Sequence, residues 1–309
     1  MIYNNVLEAI GNTPLIRLNR MTGENDAQVL VKYEGVNIGG SIKTRTAFNM
    51  IKKGEEMGLI KPDSIIVEVS SGNQGIGLAL VGAVRGYKTV VLMPDSVSGE
   101  RMKLMNSYGA EVILVPEEND IGKCIETCQE MANKMAQEDE RVFLPLQFEN
   151  EANTYTHRYE TGAEIVEQAG CKIDGFCAGI GTGGTITGIG QKLREENPDT
   201  LIWAVEPNEA AILSGMPTST HMQMGIGDGL IPQILDTQIY DDICIVTDEE
   251  ALQTAKDLAL KEGLMCGISS GSNVAAALKL AKQLGAGKTV VTILPDTAER
   301  YFSTPLFDE

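Results

Sequence analysis

Histidine is nearly absent from this chain of 309 residues, where only His157 and His221 occur. A metal centre built on several imidazoles is therefore excluded, and no metal site is expected. The six cysteines (124, 128, 171, 177, 244 and 266) include no C-x-x-C pair. Cys124 and Cys128 fall four apart, on one face of an expected helix. Neither a disulfide framework nor a zinc site is predicted, and reduced thiols in a cytoplasmic protein are the reading. No apolar run reaches the ~20 residues of a membrane span. The first residues, Met1 to Asn5, lack the basic segment and apolar run of a signal peptide. Positive charge is also scarce: 25 Lys and Arg stand against 43 Asp and Glu, a net charge of −18. Such a surface repels nucleic acid and anionic membrane, which excludes both as partners. A small-molecule site is not excluded, because local loop dipoles bind anions whatever the net charge.

What is present is ordinary for a globular protein: 43% hydrophobic and 22% charged residues, in a chain long enough to bury a sizeable core. Ala9 to Leu15 has turn chemistry leading into an extended segment, since Thr13 precedes a proline. Val29 to Glu34 reads as a strand. The pattern then predicts a helix from Lys43 to about Gly58, a strand over Ser64–Val69 and a helix through Arg85. A strand over Thr89–Met93, a helix over Ser98–Tyr108, a strand over Glu111–Val115 and a helix from about Ile121 to Gln137 follow. A second series carries a helix around Glu160–Gln168, a strand over Gly175–Ala178 and a helix to about Glu196. A strand over Leu201–Glu206, an irregular stretch over Ser214–Gly229, helices over Glu249–Glu262 and Ser272–Leu284, and a strand over Thr289–Leu294 complete it. Strands alternating with helices predict an α/β fold of mostly parallel sheets covered by helices, with strand-end loops gathered into one cleft.

Four loops hold the chemistry: Gly39–Lys43, Ser70–Gly75, Gly179–Thr185 and Met265–Gly271. In Gly181-Thr-Gly-Gly-Thr185, glycines let backbone N–H groups approach an anion, two hydroxyls add donors, and a helix N-terminus follows. This loop suits a phosphate. The same stretch, Gly179-x-Gly181-x-x-Gly184, formally matches a dinucleotide fingerprint with Glu206 at the end of the next strand. A nicotinamide oxidoreductase is thus the rival reading, although it explains neither Lys43 nor Ser70 to Gln74. Ser70-Ser71-Gly72-Asn73-Gln74-Gly75 gathers hydroxyls, amides and N–H groups at a helix start, which suits a carboxylate.

These loops carry a resemblance. Ile10-Gly-Asn-Thr-Pro-Leu15, Gly39-Gly-Ser-Ile-Lys43, Ser71-Gly-Asn73, Glu100-Arg101, Gln147-Phe148, Gly181 to Thr185, Val205-Glu-Pro207, Gly225-Ile-Gly227, Gly267 to Gly271 and Glu299-Arg-Tyr301 stand in order over nearly the whole chain. So read, the sequence resembles the cysteine synthase and cystathionine β-synthase family of fold-type II pyridoxal phosphate enzymes. The resemblance implies a two-domain fold like the tryptophan synthase β-subunit. Residues 1–12 and 35–147 would form the smaller domain, with 94–137 its mobile part; residues 13–34 and 148–309 would form the larger, phosphate-binding domain. It also implies pyridoxal 5'-phosphate as cofactor, a small amino-acid substrate such as L-cysteine or O-acetyl-L-serine, and a homodimer.

Residue by residue, the resemblance implies that Lys43 forms the internal aldimine and then takes the substrate α-proton. Gly181, Thr182, Gly183, Gly184 and Thr185 would hold the phosphate, Asn73 the ring hydroxyl oxygen and Ser269 the pyridine nitrogen. Ser70, Ser71, Gly72, Gln74, Gln147 and Gly227 would line the substrate site. The implied reaction is β-replacement through an α-aminoacrylate.

The chain departs from the family at Thr44, in place of aspartate, and at Ile38, in place of proline. Ser70 and Gln74 stand where threonines are usual. The sharpest departure is Asp228, where cysteine synthases carry a small apolar residue and cystathionine synthases a tyrosine. Two like charges about 4 Å apart repel by roughly 4 kcal/mol at intermediate dielectric, so Asp228 would oppose entry of hydrosulfide. It could instead take a proton from water. The expected reaction is L-cysteine plus water to L-serine plus hydrogen sulfide. O-acetylserine sulfhydrylation and cystathionine-type condensation are the alternatives, and an Asp228 that merely caps a Gly-Asp-Gly turn is the structural one.

Overall fold

A computed structural model describes residues 2–70, 72–96, 99–117 and 121–308. Apolar strand runs bounded by loops form two sheets. The six-stranded sheet has the order β1-β2-β10-β7-β8-β9, from β1 (Leu15–Arg17), β2 (Gln28–Tyr33), β7 (Gly175–Gly179), β8 (Leu201–Pro207), β9 (Asp242–Val246) and β10 (Thr289–Leu294). Only β1 runs antiparallel to its neighbour, pairing Leu15 with Lys32. The four-stranded sheet, β5-β4-β3-β6, is parallel throughout and comprises β3 (Ile65–Val69), β4 (Lys88–Pro94), β5 (Glu111–Val115) and β6 (Val142–Phe143).

Parallel strands need crossovers, and helices supply them. They are α1 (Lys43–Glu56), α2 (Asn73–Arg85), α3 (Gly99–Ser107), α4 (Ile121–Glu138), α5 (Glu151–Thr156), α6 (Gly162–Ala169), α7 (Gly184–Glu196), α8 (Asp248–Asp257) and α9 (Ile268–Leu284). A π-type turn, His157–Thr161, joins α5 to α6. Every residue of β10 is buried, because Val274–Ala277 and Leu280 of α9 cover one face of the large sheet while Ile186, Ile189 and Leu193 of α7 cover the other. Cys124 and Cys128 of α4 pack on Val67, Val90 and Leu92 of the small sheet. All six cysteines are free thiols.

The expected element types hold, with three differences. The helix expected around Glu160 begins at Glu151. The helix expected from Ser272 begins at Ile268, so Gly267 to Gly271 is a helix start rather than a loop. A Cβ at Gly271 would collide with the Ala251 carbonyl, and this close packing of α8 on α9 holds a Gly/Ser-rich turn helical against its low propensity. The edge strands β6 and β9 were not foreseen.

Candidate active site

Lys43 opens α1. The segment before it is fastened to the end of β10: Ile42 N donates to Pro295 O at 2.8 Å, and Ser41 bridges to Asp296. Desolvation pushes the Lys43 amine below the usual lysine range, with Asp228 and Asp296 opposing that shift.

The turn between β7 and α7 takes its shape from two glycines. Gly183 has φ +79°, and a Cβ at Gly181 would strike the Gly225 carbonyl oxygen. The N–H groups of Gly181, Thr182, Gly183 and Thr185 have no acceptor among the described residues. Asn153 Nδ2 donates to Thr182 Oγ1 at 2.9 Å. Thr185 Oγ1 lies 3.3 Å from His157 Nε2, and His157 Nδ1 lies 3.1 Å from Thr161 Oγ1. Burial, with Lys43 and Arg45 nearby, holds His157 well below its ordinary pKa, so it stays neutral beneath this turn. Together with the α7 dipole, these free donors suit a dianionic phosphate.

The dinucleotide reading fails on Glu206. That carboxylate is buried and accepts from Leu213 N at 2.8 Å and from Ser214 Oγ at 3.1 Å, pinning the next turn instead of facing a ribose. Gly179 N donates to Asn273 Oδ1 at 2.7 Å.

At the end of β3, Ser70 Oγ accepts from Gly72 N at 3.3 Å and Gly75 N at 3.1 Å, shaping the start of α2. Ser71 lies outside the described residues. Asn73 is held at both ends: its Nδ2 donates to Asp296 Oδ2 at 2.7 Å, and its Oδ1 accepts from Arg300 Nε at 2.8 Å. One Nδ2 hydrogen is left over. Gln74 is turned into the contact of α1 with α2, where it accepts from Thr46 Oγ1 at 2.8 Å and donates to Met50 Sδ at 3.4 Å. Gln147 Nε2 donates to Val69 O at 3.4 Å. Ser269, in the first turn of α9, is buried, and its hydroxyl has no partner among the described residues.

Asp228 lies on a loop fixed by its neighbours. Gly227 N donates to Ile180 O at 2.8 Å, and Gly227 O lies 3.0 Å from His221 Nε2. Gly227 has φ +71°, and a Cβ there would sit 2.7 Å from Pro207 Cγ, so only glycine fits. Gln223 holds the loop's start, accepting from Ser272 Oγ at 2.7 Å and donating to Val246 O at 3.0 Å. Asp228 Oδ2 lies 3.8 Å from where a Gly181 Cβ would stand, which sets the carboxylate beside the 181–185 turn. The residue is exposed to solvent. Protein crowding raises its pKa above the ordinary carboxylate value, against the pull of Lys43 and His221.

Loops from both sheets thus bring together Lys43, Asn73, the 181–185 turn, Ser269 and Asp228, whereas the Gln74 amide is spent between helices. Sequence reasoning missed Asp296, Arg300, Asn153 and His157. The signal for Arg300 stood in Glu299-Arg-Tyr301, and the others carried none.

A buried lysine at a helix start, a donor-rich glycine turn and two mostly parallel sheets are the features of a pyridoxal phosphate-dependent enzyme. Residues 6–296 match the family model described as pyridoxal-phosphate dependent enzyme. The cysteine synthase of Staphylococcus aureus is 45% identical over 305 residues, covering 98% of this chain and 97% of that protein. Among solved structures, O-ureido-L-serine synthase superposes with a TM-score of 0.93 at 41% identity, covering 100% of this chain and 96% of the other. A hydrogen sulfide-producing enzyme from Fusobacterium nucleatum superposes with a TM-score of 0.91 at 37% identity, covering 97% and 98%. The chain belongs to the pyridoxal phosphate-dependent enzymes, in the cysteine synthase family, with the fold-type II architecture expected of it.

Proposed function

We propose that this enzyme converts L-cysteine and water into L-serine and hydrogen sulfide, and that Asp228 selects water. The carrying observation is a carboxylate beside the 181–185 turn, within electrostatic reach of Lys43. The site suits pyridoxal phosphate: free N–H groups at Gly181, Thr182, Gly183 and Thr185 for the phosphate, the spare Asn73 hydrogen for the ring oxygen, and the unpartnered Ser269 hydroxyl for the ring nitrogen. When bound, the cofactor supplies an electron sink for negative charge at the substrate Cα.

The lowered pKa of Lys43 favours its neutral amine, which takes the Cα proton. The Cβ–S bond breaks and hydrosulfide leaves with the electron pair. Asp228 then takes a proton from the water whose oxygen bonds to Cβ, and Lys43 returns a proton to Cα. Hydrosulfide takes up the proton from Asp228, so atoms and charge balance. Gly72, Gln147 and the Ser70 turn flank the substrate carboxylate, while Gln74 fixes α2 against α1 and shapes that turn from behind. We also assign a homodimer acting on a free amino acid.

Identity to cysteine synthases favours a second reading, sulfhydrylation of O-acetylserine. The Asp228 charge opposes it, because hydrosulfide must approach a like charge. Product analysis with L-cysteine alone separates the two. The Asp228→Asn variant is expected to make serine about 100-fold more slowly while still exchanging the Cα proton with deuterated solvent. Serine formation at the normal rate in that variant would sink the assignment.

A further inference from the structure

The Asn73 amide lies between groups of opposite charge. Its oxygen faces the Arg300 guanidinium and its nitrogen faces the Asp296 carboxylate. The two ends of an amide are nearly the same size, so its partners alone decide which end points where. Turned over, Asn73 would set its hydrogens against a cation and its oxygen against a carboxylate, losing two charge-assisted bonds. Both charged groups are buried, and both are themselves held. Asp296 Oδ2 also accepts from Tyr301 Oη at 2.7 Å. Arg300 Nη1 donates to Thr297 Oγ1 at 2.8 Å, and Nη2 donates to the Gly39 carbonyl.

The same guanidinium accounts for the second glycine before Lys43. Gly40 has φ +71°, and a Cβ there would sit 2.6 Å from Arg300 Nη1. Arg300 therefore packs on the backbone that leads into α1 while it bonds the first residue of α2. Asp296 is close enough to Lys43 to oppose the fall in its pKa, so the pair borders that amine. With its oxygen and one hydrogen committed, Asn73 has one Nδ2 hydrogen to offer the cleft. A donor at that point stabilises the ionised form of a ring oxygen, whereas an acceptor there requires the protonated form.

We propose that Asp296 and Arg300 are positioning residues, a charged clamp that fixes the Asn73 amide with its hydrogen toward the cofactor ring oxygen and so keeps that oxygen ionised. This rests on the reading of Asn73 as the partner of the ring oxygen. It gives residues 223 and 227 positions further along the chain a part in the state of the cofactor.

The test reads the absorbance of the purified holoenzyme without substrate. A visible band reports the ionised ring oxygen and a near-ultraviolet band the protonated one. Asp296→Asn and Arg300→Met are each expected to lower the visible to near-ultraviolet ratio about 5-fold, in the same direction as Asn73→Ala. Asp296→Asn keeps the shape of the side chain and decides the matter alone where Arg300→Met does not fold. Arg300→Lys, which keeps a cation against the amide oxygen, is expected to recover part of the loss. On an Asn73→Ala background, Arg300→Met is expected to change the ratio no further, because a positioning residue acts through the group it positions. The clamp is overturned if Asp296→Asn and Arg300→Met keep the wild-type ratio while Asn73→Ala lowers it. It is also overturned if Arg300→Met lowers the ratio further on the Asn73→Ala background. If Asn73→Ala itself keeps the wild-type ratio, the ring-oxygen reading falls and the clamp falls with it.

Discussion

A carboxyl group that keeps its proton at neutral pH is a measurable feature of a buried site, and Glu68 is such a group. It lies on β3 two residues before Ser70, and burial pushes its pKa up to about 8, despite the hydrogen bond from Val69 N at 3.1 Å. In the unfolded chain it would titrate near the ordinary glutamate value of about 4.3. The folded state therefore holds the proton more tightly. The stabilisation is complete below the unfolded pKa and is lost as pH rises through the folded one. Between those values stability falls by at most about 1.4 kcal/mol per pH unit from this residue. Urea unfolding of wild type and Glu68→Gln between pH 6 and pH 8.5 is expected to show a slope in the former that the latter lacks; parallel curves would contradict a buried neutral Glu68. Asp228 shifts in the same direction for a different use. In its proposed role as a base, the raised pKa would bring the carboxylate closer to the operating pH, where a base is most effective.

At the scale of elements, α1 is positioned by a buried charge cluster two residues beyond Lys43. Arg45 Nε meets Glu34 Oε2 at 2.9 Å, and its Nη2 meets Glu164 Oε2 at 2.7 Å, where Lys32 Nζ also arrives at 2.7 Å. Although burial alone would raise it, these cations hold Glu164 at a pKa of about 2. The cluster ties α1 to β2 and α6. Glu164→Gln leaves Arg45 and Lys32 short of a counter-charge, and a loss of about 3–5 kcal/mol in unfolding free energy is expected from denaturant melts. A loss below 1 kcal/mol would mean that solvent reaches the cluster. Nothing in the sequence announced it, because Glu164 is 119 residues from Arg45 and looks like a surface residue of an amphipathic helix. The same holds for Asn73, whose partners Asp296 and Arg300 lie 223 and 227 residues away. What was legible was local. Alternating strands and helices marked the α/β fold, and glycines before a helix marked the donor-rich turn at 181–185. The start of α9 was misread because Gly-Ile-Ser-Ser-Gly has poor helix propensity and its helical form depends on contact with α8.

For the whole molecule, two sheets deliver their loops to one place, and each contributes what the other lacks. The large sheet brings the 181–185 turn, Ser269 and Asp228; the small sheet brings Asn73 and the turn at Ser70, and α1 brings Lys43. No described helix is long and apolar enough to cross a membrane. The cysteine synthase framework is retained, and in the proposed function a single carboxylate at its mouth changes which nucleophile is welcome. The most direct measurement is isotopic: the holoenzyme is given L-cysteine as sole substrate in water enriched in oxygen-18, and the amino-acid product is weighed by mass spectrometry. The account predicts L-serine carrying one oxygen-18 in its side chain, with one sulfide released per serine. Sulfide released without labelled serine, or cysteine left unchanged while O-acetylserine and sulfide are turned over rapidly, would contradict it.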